Sequence, residues 1–264
     1  MAYFTRNQGY PLGVDLSQHN ASGDGRRIPN FDQFKLHIPE IHFVAMRTGI
    51  SWGYRDRMFP RYFDEARRVG LCILPYHVLY PNAEVIRQMD AFLTILKDAD
   101  LEQLRLVLDV ELEQGKNKTF ITKVLNQALN YLQKATGRYP IVYSRAMWVN
   151  ENLRIEDLPK VDWWLAQYIR SLEQPLFTPE YPCPPMLPKG VRQWLIHQTA
   201  QRAPAIGGVG HYMDYNRWNG SPEQLLAYFG KTQPVLALCP VDQLPCERAL
   251  KTPKTLAVKE EVAA

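Results

Sequence analysis

The chain lacks the features that mark membrane proteins, disulfide-held secreted domains and zinc proteins. Nothing in its 264 residues approaches the roughly 18 consecutive apolar residues of a membrane-crossing helix, so no membrane insertion is expected. Cysteine is scarce. Cys72, Cys183, Cys239 and Cys246 contain no Cys-x-x-Cys pair and fit no common zinc spacing. They do not make a disulfide framework either. Cys72 lies in an apolar run and reads as a buried thiol, whereas Cys239 and Cys246 could pair in an oxidising compartment. Dense Lys/Arg runs are missing too. The net charge of +4 is too mild to suggest a nucleic-acid partner, though it would suit an anionic surface. The N-terminal "MAYFTRNQGYPLG" has no apolar core of the signal-peptide kind. Synthesis in the cytoplasm is therefore expected, and any target outside must be reached with the help of something else. No internal repeat occurs.

What is present is a globular composition, 46% hydrophobic and 22% charged. Short apolar runs alternate with amphipathic segments. The runs are "PLGVDLS" (11–17), "HFVAMRTG" (42–49), "LCILPYHVLY" (71–80), "LRLVLDVEL" (104–112), "YPIVYS" (139–144), "DWWLAQYI" (162–169), "WLIHQTA" (194–200) and "HYMDYNRW" (211–218). Between some of them the spacing is helical. "MFPRYFDEARRVG" puts Phe59, Tyr62, Phe63, Ala66 and Val69 on one face and stops at Gly70. "NAEVIRQMDAFLTILKDA" and "TFITKVLNQALNYLQKATG" repeat the pattern, the latter with Thr119 as a plausible cap and Gly137 as its stop. Eight strands, at least four followed by helices, predict an α/β barrel, a fold that commonly uses about 250 residues. After residue 139 the spacing shrinks and loops replace helices, including the Pro-rich "PLFTPEYPCPPMLPKG", so the second half should be irregular. Residues 1–230 are expected to form the barrel. Residues 231–264 lose periodicity and read as an extension or linker, disordered near its end.

The chemistry points to "LRLVLDVELEQGKN". Asp109 and Glu111 alternate with apolar residues near the C-terminal end of the fourth strand, where barrel active sites form. Alternate strand residues share a face, about 6.5–7 Å apart. Of two acids so close, the one in less polar surroundings keeps its proton and the other stays ionised. That division suits cleavage of a glycosidic bond. The same spacing could hold a divalent metal, but a catalytic metal site would normally add histidine or more carboxylates, so no metal or cofactor is expected. The ordinary alternative is a pair of strand-end acids bound to nearby Arg or Lys. Asp15, in "GVDLSQHN", and Asp214, in "HYMDYNRW", weigh against it. First and last strands are neighbours in a closed barrel, so both acids belong at the same mouth. Glu113 lies beyond and reads as solvated.

Taken in order, "GVDLSQHN", "FVAMRTG", "FDEARRVGLCILPYHVLYP", "LVLDVE", "PIVYS", "WWLAQY", "WLIHQTA" and "GHYMDYNRW" resemble glycoside hydrolase family 25, the Chalaropsis-type lysozymes. The resemblance spans about residues 11–230. It implies an irregular TIM-like barrel of (βα)5(β)3 type. It also implies N-acetylmuramidase activity on the β-1,4 bond between N-acetylmuramic acid and N-acetylglucosamine. Glu111 would be the proton donor. Asp109 would be the second carboxylate, either nucleophile or partner of an oxazolinium formed by the substrate's acetamido group. Asp15 and Asp214 would position substrate and shape the pair's ionisation. Tyr76, Tyr143, Trp164, Gln167 and Gln198 would line the cleft. Trp163 and Trp164 point to opposite faces, so one belongs to the core. His19, His77 and His197 read as structural. The family is regarded as retaining, though strand spacing alone lies between the usual retaining and inverting separations.

The implied partner is the glycan strand of bacterial peptidoglycan, met by a monomer. A phage endolysin is a natural setting for a muramidase without a signal peptide. Departures from the family pattern, "HVLYP", "HQTA" and the insert at 171–190, touch the cleft wall more than the acids. Two alternatives stay open: a glycan-binding barrel without turnover, and a hydrolase of another N-acetylhexosamine polymer.

Overall fold

A computed structural model of the chain describes residues 10–37, 40–168, 184–210 and 212–231. In chain order its strands are β1 (Leu12–Leu16), β2 (Ile41–Ile50), β3 (Tyr54–Arg55), β4 (Cys72–Val78), β5 (Val107–Asp109), β6 (Ile141–Ser144), β7 (Trp163–Ala166), β8 (Ile196–Pro204) and β9 (Tyr212–Trp218). The helices are α1 (Phe31–Leu36), α2 (Phe59–Arg68), α3 (Val85–Ile95), α4 (Lys118–Thr136), α5 (Ala146–Asn152) and α6 (Pro222–Tyr228). Eight strands close in the order β1-β9-β8-β7-β6-β5-β4-β2, with β2 returning to β1. The two-residue β3 is a hairpin arm on β2.

Five strand–helix units come first, and β7, β8 and β9 then follow without a helix among their described residues, the expected (βα)5(β)3 plan. Neighbouring strands are parallel except around β9, which runs antiparallel to both β8 and β1. The cause is the connection. Too few residues separate β8 from β9 for a crossover, so the chain can only turn back.

Strand alternation sorts the side chains into two layers. Val14, Val44, Leu108, Val142 and Leu165 point outward and pack under helices that supply Phe92, Leu125 and Leu129. Phe43, Leu74, Val107, Trp164, Ile196 and Trp218 point inward, and Leu225 and Phe229 from α6 and its end join them. The interior is full. A Cβ on Gly13 would lie 2.2 Å from the Phe43 ring, so only glycine fits there.

Three local expectations change. The run at 104–112 yields a strand of only three residues, ending at Asp109, so Glu111 stands on the loop beyond it. The cap of α4 is Asn117, whose side chain accepts the Phe120 amide at 2.9 Å, and not Thr119. Gly137 does end that helix, in the left-handed region at φ 76°. The short α1, α5 and α6 were not foreseen, because six or seven residues carry too few periodic positions to stand out. Cys183, Cys239 and Cys246 lie outside the described residues, as does the expected C-terminal extension apart from Lys231. Cys72 is buried with a free thiol.

Candidate active site

At the C-terminal ends of the parallel strands the inward positions turn polar. Asp15 comes from β1, Arg47 from β2, Tyr76 from β4, Asp109 from β5, Tyr143 from β6 and Gln198 from β8. Asp214 enters from the start of β9, which is antiparallel and so begins at this end; it sits directly across from Asp15 in the ladder. With Glu111 from the loop after β5, they line a cleft of about 440 Å³. The four acids are thus brought to one mouth.

Two carboxamides organise the cleft. The Tyr143 hydroxyl donates to Gln198 Oε1 at 2.8 Å, which aims Gln198 Nε2 at Asp15 Oδ2, 2.8 Å away, and more loosely at Asp214 Oδ2, 3.4 Å away. The Trp164 indole, which can only donate, bonds Asn216 Oδ1 at 2.8 Å, and Asn216 Nδ2 then donates to Asp15 Oδ2 at 2.8 Å. Burial raises the Asp15 carboxyl's affinity for protons, and these two amide bonds pull it back. Asp214 is also held above the usual carboxylate range, by burial first and then by the charge of Asp15. Two acids this close cannot both ionise cheaply.

Asp109 is the most isolated of the acids. Burial pushes its proton affinity well up, the negative charges of Glu111 and Asp15 add to this, and Arg47 opposes it. Its Oδ1 is buried without a hydrogen bond among the described residues. Glu111 is different. Its side chain is 35% exposed and lies 4.0 Å from Arg145 Nε. The drier carboxyl of the pair is therefore that of Asp109, because the strand stops there and Glu111 follows on the loop. Arg47 is held from behind. Its Nε donates to Asp56 Oδ2 at 2.9 Å, and buried Asp56 also accepts the Gln18 and Met58 amides.

The family model for glycosyl hydrolases family 25 matches residues 14–229. This chain belongs to glycosyl hydrolase family 25. It is a glycoside hydrolase. Among relatives, it is 26% identical over 219 residues to the uncharacterized protein YegX of Escherichia coli K12, covering 82% of this chain and 72% of that protein. It is 24% identical to Lysozyme M1 of Streptomyces globisporus, covering 83% and 71%. Among solved structures, a family 25 lysozyme from Aspergillus fumigatus superposes with a TM-score of 0.65 at 21% identity, covering 84% of this chain and all of that one. The catalytic domain of the endolysin ply40 from Listeria phage P40 gives 0.62 at 15% identity, covering 84% and 98%.

In this family 25 barrel the remaining expected residues divide. Tyr76 and Tyr143 line the cleft and meet the Trp164 ring edge-on, with centroids 6.4 and 4.8 Å away. Trp164 lines the cleft with them, although only 2% of it is exposed, and its indole aims Asn216. Trp163 is the outward one, in the helix-facing layer. Gln167 stands apart from the cleft. Its Oε1 accepts the Met186 amide at 2.6 Å and its side chain is exposed. Alternation gives the reason: with Trp164 and Ala166 facing in, residue 167 must face out. Tyr168 joins the wall instead.

His19, His77 and His197 all lie outside the cleft lining. His77 stacks on Phe92 at 5.2 Å, and burial lowers its pKa to about 4. His197 donates to the Gln167 carbonyl at 2.8 Å, and burial lowers it to about 4 as well. His19 is exposed on a short 3-10 turn. Sequence reasoning missed Arg47, Asn216 and Tyr168. The signal was there for two of them. Asn216 is two residues past Asp214, and Arg47 is a charge inside an apolar run, as Asp109 is.

Proposed function

We propose that this family 25 enzyme is a lysozyme that hydrolyses the β-1,4 bond between N-acetylmuramic acid and N-acetylglucosamine in bacterial peptidoglycan. Glu111 is the proton donor and Asp109 the second carboxylate. The observation that carries the assignment is the unpartnered, buried Oδ1 of Asp109 at the end of β5, with Glu111 two residues on. A buried acceptor without a protein partner is costly to keep and is expected where a ligand completes the site.

In the empty cleft, burial and the neighbouring negative charges favour a proton on Asp109. A glycan laid over the cleft covers Glu111 and excludes water from it, which favours Glu111 as the proton's holder. Glu111 then protonates the leaving oxygen while ionised Asp109 lies beneath the sugar. Positive charge develops as the bond breaks, and Asp109 stabilises it, whether by bonding the anomeric carbon or by holding the substrate's acetamido group. Both routes retain configuration, with Glu111 activating water in the second step. Asp15 is fixed by Gln198 and Asn216 and, with Asp214, positions substrate and biases the pair's ionisation. The enzyme works on the wall as a monomer and needs no nucleic-acid partner. Lysozyme M1 and the phage endolysin among its likenesses support this reading. A binding barrel without turnover would have no use for a dry, unpaired carboxyl.

The test is reducing-end analysis after digestion of purified peptidoglycan. N-acetylmuramic acid ends are expected. N-acetylglucosamine ends, or cleavage of chitin oligomers without cleavage of peptidoglycan, would move the activity to another bond. Binding without release would favour the non-catalytic barrel.

A further inference from the structure

At the other end of the barrel is a larger cavity, of about 990 Å³, framed by the segments that lead into the strands. Arg105 precedes β5, Arg138 precedes β6, Lys160 and Asp162 precede β7, and Arg192 precedes β8. Four cations thus face one carboxylate. That carboxylate is already engaged, since Asp162 Oδ2 accepts the Tyr228 hydroxyl at 2.8 Å. Among the described residues, none of the four cations forms an ion pair.

Two guanidiniums are held side by side without a counter-ion. Arg105 and Arg138 both donate to the carbonyl oxygen of Glu102, at 2.8 and 3.2 Å. Arg105 is further tied to the carbonyls of Leu104 and Tyr228 and rests against the rings of Tyr228 and Phe229, with centroids 5.2 and 5.3 Å away. Burial and the charge of Arg138 both lower its affinity for a proton. Backbone acceptors and aromatic faces therefore fix a repulsive arrangement that an anion would relieve. Arg138, Lys160 and Arg192 are exposed and carry free donors toward the same space.

We propose that this cavity binds a polyanion built of phosphodiester-linked units, as found at bacterial surfaces; the choice of a surface polymer rests on the reading of the enzyme as wall-acting. Guanidinium forks match phosphate oxygens, and Arg138 and Arg192 supply two of them. The volume lies at the upper end for ligand pockets, room for several linked units rather than one ion. The site is at the opposite end from the acids, so it can hold the enzyme to the wall while the cleft works on glycan.

The experiment uses the full chain with poly(glycerol phosphate) as probe. Wild type is compared with the triple variant Arg138→Gln, Lys160→Gln, Arg192→Gln, whose side chains are exposed and outside the catalytic cleft. Wild type is expected to bind, with affinity falling as salt rises. The triple variant should bind about tenfold more weakly or worse and show a shallower salt dependence. Both should hydrolyse purified peptidoglycan freed of phosphate polymers at the same rate. Failure of wild type to bind, equal binding by the triple variant, or binding only to anionic lipid vesicles would each overturn the proposal. If wild type binds the polymer through these residues but releases no N-acetylmuramic acid ends, the lysozyme reading fails while the anion site stands.

Discussion

At the floor of the barrel, Phe43 and Trp218 meet Leu225 and Phe229 in a dry apolar plug. Only a few residues further along the same strands, the inward positions are Asp15, Arg47, Asp109 and Gln198, an open polar cleft. Both regions obey the same period of two. What differs is whether the next layer is another apolar side chain or the solvent. The floor denies water to the acids from below, and that is why burial dominates the proton affinity of Asp15, Asp109 and Asp214. The mouth therefore stores cost, and the floor supplies the stability that permits it.

The largest effect that would sharpen this contrast comes from Asp109→Asn. Turnover should fall by about 10²–10⁴. Stability should change in the opposite direction. Burial raises the carboxyl above its unfolded value, so between those two values the folded chain binds more protons than the unfolded one. Stability of the wild type then falls as pH rises through that window. Asparagine does not titrate, so the variant should melt a few degrees higher at neutral pH. The gain should shrink toward pH values near the ordinary carboxylate range. Thermal unfolding across pH checks this, and no gain at neutral pH would mean that the mouth is not desolvated.

Next is the floor. Trp218→Ala should cost about 3–5 kcal/mol in denaturant unfolding, with turnover of the folded fraction nearly unchanged. If turnover falls in step with stability, floor and mouth are not separable. Smallest is Gln198→Ala, which removes the link from Tyr143 to Asp15. It should cost about 1–3 kcal/mol in unfolding free energy. It should also shift the pH profile of kcat/KM upward, because one bond that favours ionised Asp15 is lost. An unmoved profile would place Gln198 outside the proton balance.

The strands were legible because their short apolar runs alternate with amphipathic segments, and the acids were legible because charge inside such a run is unusual. The barrel's closure put Asp15 and Asp214 together as neighbours of the first and last strands. What stayed hidden depends on strand ends and phase. β5 stops at Asp109, a fact that no pattern in "LVLDVELEQ" reveals, and this decides which acid is drier. Gln167 was read into the cleft although the inward phase of Trp164 places it outside. Arg47 carried the same signal as the acids, but its pairing with Asp56, on a different segment, exists only after folding. The cations at the far end are scattered from residue 105 to residue 192 and form no run.

The most direct test of the account is Glu111→Gln, assayed on purified peptidoglycan beside wild type, with unfolding curves to show that both are folded. The account predicts that wild type releases N-acetylmuramic acid reducing ends and that the folded variant releases almost none. Release at the wild-type rate from Glu111→Gln would contradict it and move the proton donor elsewhere in the cleft.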